Sequence, residues 1–481
     1  LCARIIHFLA SFYERFSSGQ LEQEYSRDNP LWMDAYNSVF KSCRLPHRGS
    51  DEFFVSPAYP ADERIIALSG GNIYELPVKR GGKIIPAIRL EGLIADILSR
   101  RDAPGPNIGA ITACQRDRAS DAFDRIISID PQNKNNLETI KSSLFAICID
   151  EPKERRNENE AFKDILFGHG RDRYFDKSVQ LIAGTDGYIG FNNEHSGFDG
   201  AIWLSVMAAM HRSLTQDEAR EEKDADICHQ DEPRMLTWNI DDAAREIVGE
   251  MERGDRKRAE SLRVEIFELR DFGGDKIKKL GMSPDAFFHL SLQMAYYRAF
   301  GHLCSTYEAV SVRNFYQGRT ECARPSTVEA LALSRAAAEG RGRSELRTLA
   351  LEAASAHGKM LSLCKKGLGP ERHLLGLRLM LNCHGEEIAL DEDEDIFIDE
   401  SYKILTHDTL STSNLSSDCV KAFGFGPVVD DGFGVGYGVT RDKIRLCMSC
   451  WKGRKQDMPL LLEKLKGAFI ELRSILEENA T

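Results

Sequence analysis

Ile65 to Ser69 and Ile73 to Val78 are two short apolar runs broken by Gly70, Gly71 and Asn72, the pattern of a β-hairpin. A second pair, Val179 to Ala183 and Tyr188 to Asn193, brackets Gly184-Thr185-Asp186-Gly187. Helical spacing lies around these runs. Leu137, Ile140, Leu144 and Ile147 mark one predicted helix face, and Leu1 to Tyr13 is amphipathic, interrupted by Arg4 and His7. Hairpins interleaved with helices predict an α/β chain. At 481 residues and 42% hydrophobic, it can bury a sizeable core and is expected to form more than one domain.

Between Thr215 and Pro233 the apolar pattern fades into a polar run, which places the expected boundary near residue 233, giving domains 1–233 and 234–481. The second half opens with a helix expected from Asp285 to about Ala299, with Ser283 as N-cap and Pro284 as first residue. Lys443 to Cys447 reads as a strand. A closing helix after Asp457-Met458-Pro459 carries Leu461, Leu465, Ala468, Phe469, Leu472 and Leu476 on a core face. Gly432-Phe433-Gly434-Val435-Gly436 lacks the helix pattern and lysine of a phosphate loop and reads as a glycine-rich strand passing close to a ligand. The acidic run Asp391 to Asp395 reads as a solvated loop.

A formal net charge of -12 argues against nucleic-acid partners, which are held by clustered Lys and Arg. The 12 cysteines follow no disulfide spacing, which suits a reducing compartment. Cys447 and Cys450 form a CxxC pair without a second pair at finger-like spacing, so no metal site is expected. No run approaches the roughly 20 apolar residues of a membrane span. Leu1 to Tyr13 reads as a packed helix, and a start in mid-helix pattern suggests a fragment lacking any targeting peptide.

Chemistry enters at Glu194-His195-Ser196-Gly197-Phe198-Asp199-Gly200, just after the second hairpin. An imidazole oriented by a carboxylate can serve as a general base at neutral pH. Alone, the motif reads first as a hydrogen-bonded structural histidine. Further segments stand with it: DRYFDKS at 172–178, SPDA at 283–286, TYEAVSVRNFYQGRT at 306–320, RHLLGLRL at 372–379, LSTSN at 410–414 and FGPVVDDGFGVGYGV at 425–439. Together and in this order they resemble the choline/carnitine acyltransferase family over nearly all of the chain, without that family's N-terminal helical segment.

The resemblance implies two mixed-sheet α/β domains of the CoA-dependent acyltransferase type, with an active-site tunnel between them. It implies His195 as the base, Asp199 as the acid holding it, and Arg173 as a basic partner of Asp199. Ser411-Thr412-Ser413 matches the family's Ser-Thr-Ser motif, with Ser413 donating to the oxyanion. No GxSxG elbow is present, which fits direct transfer without an acyl-enzyme. Arg372, Tyr307, Thr320 and Ser411 match carnitine-contact positions, and choline enzymes carry asparagine and valine where Arg372 and Thr320 stand. Phe425 matches the aromatic beside the trimethylammonium. Phe423 stands where a large residue closes the acyl tunnel and glycine opens it, which favours acetyl or another short acyl group. The Ser413 region and DDGFGVGY look most like the inner-membrane palmitoyltransferase.

On the CoA side, Lys278, Ser283, Asp285 and Asn414 match the family's contacts. Lys279 adjoins Lys278; a companion lysine is replaced by Gly274, with Lys276 as a substitute, and two further contacts appear as Gly358 and Ala309. The function implied is a carnitine O-acyltransferase, with a long-chain palmitoyltransferase, a choline acetyltransferase and a silent acyl-CoA binding protein as alternatives. Acyl-CoA and carnitine are the expected partners; CoA is a substrate, and no bound cofactor is expected. A monomer is expected, with peripheral membrane contact allowed. Its Glu-Asn-Ala-Thr end is no peroxisomal tripeptide, which tilts the expectation to mitochondria over peroxisome or cytoplasm.

Overall fold

The structure, a computed structural model, describes residues 1–100, 102–152, 154–168, 170–216, 231–388 and 396–477. Most of the polar run before Pro233, the acidic run at 391–395 and the last four residues lie outside the described residues. The chain forms two compact units, Leu1–Ser261 and Leu262–Thr481.

The first unit holds strands β1 (Glu63–Ser69), β2 (Asn72–Arg80), β3 (Ala146–Asp150), β4 (Val179–Gly184), β5 (Ile189–Asn193) and β6 (Arg234–Met235). They lie in the order β5-β4-β3-β1-β2-β6. The β4/β3 and β3/β1 pairs are parallel and the others antiparallel. Both expected hairpins are present as β1/β2 and β4/β5. Alternation splits β1 between two cores: Ile65 and Ala67 join one, Ile66 and Leu68 the other. Helix α1 (Cys2–Ser17) covers the first face with Ile6, Leu9 and Phe12, so the opening segment is packed as expected.

One predicted helix face is corrected. Leu137 and Ile140 lie in α2 (Pro131–Ser142), Leu144 lies beyond its end, and Ile147 belongs to β3. Leu144 to Ile149 is a continuous buried run, and a strand covered on both faces loses the alternation that would set it apart from a helix. The units also divide after Ser261 rather than near 233. Helix α3 (Gly200–Gln216) precedes the polar run, and α4 (Asp242–Ser261) follows it. The latter puts Ala244, Val248 and Met251 into the core of Ile66 and Leu68.

The second unit has β7 (Arg263–Leu269), β8 (Thr306–Ser311), β9 (Thr320–Ala323), β10 (Leu410–Asn414), β11 (Phe433–Val439) and β12 (Ile444–Cys450), ordered β7-β12-β11-β10-β8-β9. Here β11/β10 and β10/β8 are parallel and the remaining pairs antiparallel. Each unit therefore has the same pairing sequence: two parallel contacts flanked by one antiparallel pair on one side and two on the other. Two mixed α/β sheets match the expected fold class.

In this unit α5 (Gly274–Lys279) leads into α6 (Pro284–Phe300), where Ser283 Oγ accepts from Ala286 N as the expected N-cap. Helix α6 is buried nearly all round, against α7 (Val328–Ala338), α8 (Arg343–Lys365) and α10 (Asp457–Leu476); α9 is Pro370–Ile388. Leu461, Leu465, Ala468, Phe469, Leu472 and Leu476 of α10 are buried as expected. The glycines of β11 admit a neighbouring segment of the chain rather than a ligand: a Cβ on Gly436 would lie 2.3 Å from the Phe423 carbonyl oxygen, and one on Gly434 2.7 Å from that of Phe425. Among the described residues no helix is long and apolar enough to cross a membrane.

Candidate active site

In the first unit, His195 follows β5, and buried Phe198 anchors the turn into α3. The imidazole Nδ1 lies 2.7 Å from the Phe198 carbonyl oxygen. A carbonyl only accepts, so Nδ1 carries the hydrogen and Nε2 keeps the lone pair of a base. Asp199 Oδ1 stands 3.8 Å from Nδ1, beyond hydrogen-bond range, and its side chain is 10% exposed. This carboxylate flanks the ring without a direct hydrogen bond to Nδ1.

Arg173 does not pair with Asp199. Its guanidinium grips both oxygens of Asp150 at 2.9 Å and donates to the Asp164 carbonyl at 2.6 Å. A bidentate carboxylate satisfies a buried guanidinium best, and Asp150 at the end of β3 supplies it.

In the second unit three expected residues converge. Arg372, on the first turn of α9, places Nη2 3.4 Å from both the Tyr307 hydroxyl and Thr320 Oγ1, while Nε donates to the Thr320 carbonyl at 3.0 Å. No carboxylate among the described residues pairs with this guanidinium. Burial pushes the Tyr307 phenol up, with Arg372 opposing. Strand β10 runs alongside: Ser411 is paired with Tyr307, and Thr412 Oγ1 donates to the Tyr307 carbonyl at 2.7 Å. Ser413 shares the Ser411 side of β10 and sits opposite Gly436. The Phe423 and Phe425 ring centroids are 6.0 Å apart. Phe423 is half-buried in the wall of a cleft of about 220 Å³.

Asp285 and Asn414, both expected to contact CoA, meet directly, with Asn414 Nδ2 donating to Asp285 Oδ1 at 3.2 Å. Lys278 and Lys279 are exposed on α5. Lys276 is held by Glu477 at 2.9 Å, so it is not idle as a substitute phosphate ligand. Gly274 donates its N–H to the Thr440 carbonyl at 2.7 Å, and a Cβ there would meet the same oxygen at 3.2 Å. A lysine at that position would therefore crowd the turn. Gly358 lies on α8 and Ala309 on β8.

Residues 1–467 match the choline/carnitine O-acyltransferase family. The chain belongs to that family. It is 30% identical over 458 residues to carnitine O-palmitoyltransferase 2, mitochondrial, of Xenopus tropicalis, covering 94% of this chain and 68% of that protein. It is 30% identical over 470 residues to choline O-acetyltransferase of Danio rerio, covering 94% and 72%. Carnitine O-acetyltransferase of Columba livia is 27% identical over 494 residues, covering 99% and 77%. The protein is thus an O-acyltransferase, and its relatives divide between carnitine and choline and between long and short acyl groups.

Beside Asp285, the acyltransferase assembles side chains that the sequence reading missed. His289 Nε2 lies 3.3 Å and His357 Nε2 2.7 Å from Glu308 Oε2, and the Tyr437 hydroxyl donates to Asp285 at 2.5 Å. Burial pushes the Glu308 carboxyl well above its ordinary range, and the charge of Asp285 adds to this. Burial would also raise Asp285, but His289 and the hydrogen bonds from Glu308 and Tyr437 hold it low. Burial depresses both histidines, His289 to about 3. The i, i+4 spacing of Asp285 and His289 was the only sequence signal, because Glu308 and His357 arrive from other elements. Cys447 and Cys450 lie three apart on β12 and so project to opposite faces.

Proposed function

We propose that the protein is a carnitine O-acyltransferase moving a short acyl group, in either direction, between CoA and the carnitine hydroxyl. The observation that carries this is the convergence of Arg372, Tyr307 and Thr320. Carnitine has a carboxylate that such a guanidinium, phenol and hydroxyl can bind. Choline has none, and its positive charge beside Arg372 would be opposed rather than neutralised.

In the forward direction His195 Nε2 takes the hydroxyl proton as the carnitine oxygen attacks the thioester carbonyl. A thiol of pKa about 8.5 needs modest help from an imidazole, whereas an alcohol needs proton removal in concert with attack. Ser413 donates to the oxyanion of the tetrahedral intermediate. Collapse breaks the carbon–sulfur bond, and the leaving thiolate recovers the proton from Nε2. Asp199 is a positioning residue beside the imidazole. The reading requires His195 and the Ser411–Ser413 strand to act on one substrate pair. Lys278, Ser283, Asp285 and Asn414 would hold CoA, Ser411 and Phe425 would border the carnitine, and Phe423 would limit the acyl chain. The mitochondrial compartment named for the Xenopus relative supports a mitochondrial location.

The identity to a palmitoyltransferase favours a second reading, a long-chain enzyme. Thiol release from acetyl-, octanoyl- and palmitoyl-CoA with carnitine or choline separates the two. Acetyl-CoA with carnitine is expected to be fastest, and His195→Ala to abolish it. A palmitoyl preference sinks the short-chain assignment, a choline preference sinks the carnitine assignment, and activity surviving His195→Ala removes the base.

A further inference from the structure

The cluster at Asp285 has the make-up of a cation site. One ligand atom from each of Asp285, His289, Glu308 and His357 lies within 4.8 Å of the other three. His289 is 0% exposed, His357 2% and Glu308 5%, whereas Asp285 is only partly covered and leaves one side open. The Nδ1 atoms of both histidines are buried without a hydrogen-bond partner, and each ring turns Nε2 towards Glu308, His289 also meeting the Tyr437 hydroxyl at 3.2 Å. Three elements supply the donors: α6 gives Asp285 and His289 one turn apart, β8 gives Glu308, and α8 gives His357.

The two carboxylates share a hydrogen bond, with Glu308 donating to Asp285, and a divalent cation would displace that proton. A divalent cation with two carboxylates and two neutral imidazoles sums to zero. Two nitrogens and two oxygens in a compact set suit zinc, whose ligand bonds of roughly 2.0–2.2 Å require the set to draw in around the ion. We propose that Asp285, His289, Glu308 and His357 form a zinc-class divalent cation site that ties α6, β8 and α8 together. Four protein ligands leave no open position, so the ion is structural, and with one Asp285 oxygen as ligand the other stays available to the CoA side.

The test uses the full chain, stripped with a chelator and titrated with Co²⁺ and, by chelator competition, with Zn²⁺. The expected result is one equivalent of tetrahedral cobalt absorption without thiolate charge-transfer bands, and a Tm that rises with Zn²⁺. His289→Gln and His357→Gln should each weaken binding by at least roughly tenfold. Thiolate bands, no tetrahedral absorption, or unchanged affinity in both variants would overturn the site. Should a variant fail to fold, the unsubstituted protein's cobalt spectrum decides by itself.

Discussion

Gly436→Ala probes how the chain holds Phe423. The new Cβ would lie 2.3 Å from the Phe423 carbonyl oxygen and 2.7 Å from the Gly424 Cα, both backbone atoms that cannot rotate away. The 423–424 segment must therefore retreat by about 1 Å, an overpacking strain of about 1–3 kcal/mol. For a unit the size of Leu262–Thr481 this lowers Tm by about 2–12 °C, read by thermal melting. Because the retreating segment carries Phe423, the octanoyl-to-acetyl rate ratio should rise as well. Gly467→Ala is the control: it lies in α10 with nothing within 4 Å of the added Cβ, and should stabilise by up to about 1 kcal/mol. An unchanged Tm for Gly436→Ala would refute the close approach. A lower Tm with unchanged selectivity would refute Phe423 as the limit on chain length.

Arg372→Gln removes a charged partner worth about 1.5–3 kcal/mol, so the carnitine KM should rise about 10- to 150-fold with the acetyl-CoA KM little changed; steady-state kinetics with both substrates checks this. Thr412→Val deletes the 2.7 Å bond to the Tyr307 carbonyl and should cost about 1 kcal/mol in urea unfolding. Asp255 of α4 is buried, which pushes its carboxyl up from 3.8 to about 6. The native state then holds this proton more tightly than the unfolded chain, so stability falls as pH rises from about 4 to 6. Asp255→Asn should remove that loss, gaining up to about 3 kcal/mol at pH 7.5 and little at pH 4. A gain independent of pH would contradict the linkage.

Local signals were legible in the sequence. Glycine turns located both hairpins, and Ser283-Pro284 located the start of α6, because turn and cap chemistry is settled within a few residues. Tyr307, Thr320 and Arg372 were legible through a family pattern, and the structure brings them within reach of one another. Leu144 and Ile147 were misread because a strand buried on both faces keeps no period of its own. The unit boundary was misplaced because a polar run marks chain in water, not the end of a core, and α4 returns to the first core after it. Arg173 found Asp150 rather than Asp199, a choice fixed by tertiary proximity. The acid–histidine cluster escaped for the same reason.

The second sheet also dictates an order of assembly. Among the described residues its first strand, β7, is paired only with its last, β12, with Leu269 opposite Ile444. During synthesis at about 5–20 residues per second, β7 leaves the ribosome some 10–35 s before its partner exists. For that interval it is an unpaired edge open to wrong partners. Chains released short of β12 should therefore aggregate rather than persist as a smaller folded unit, and the hairpin joining β11 to β12 is the step that closes the second unit.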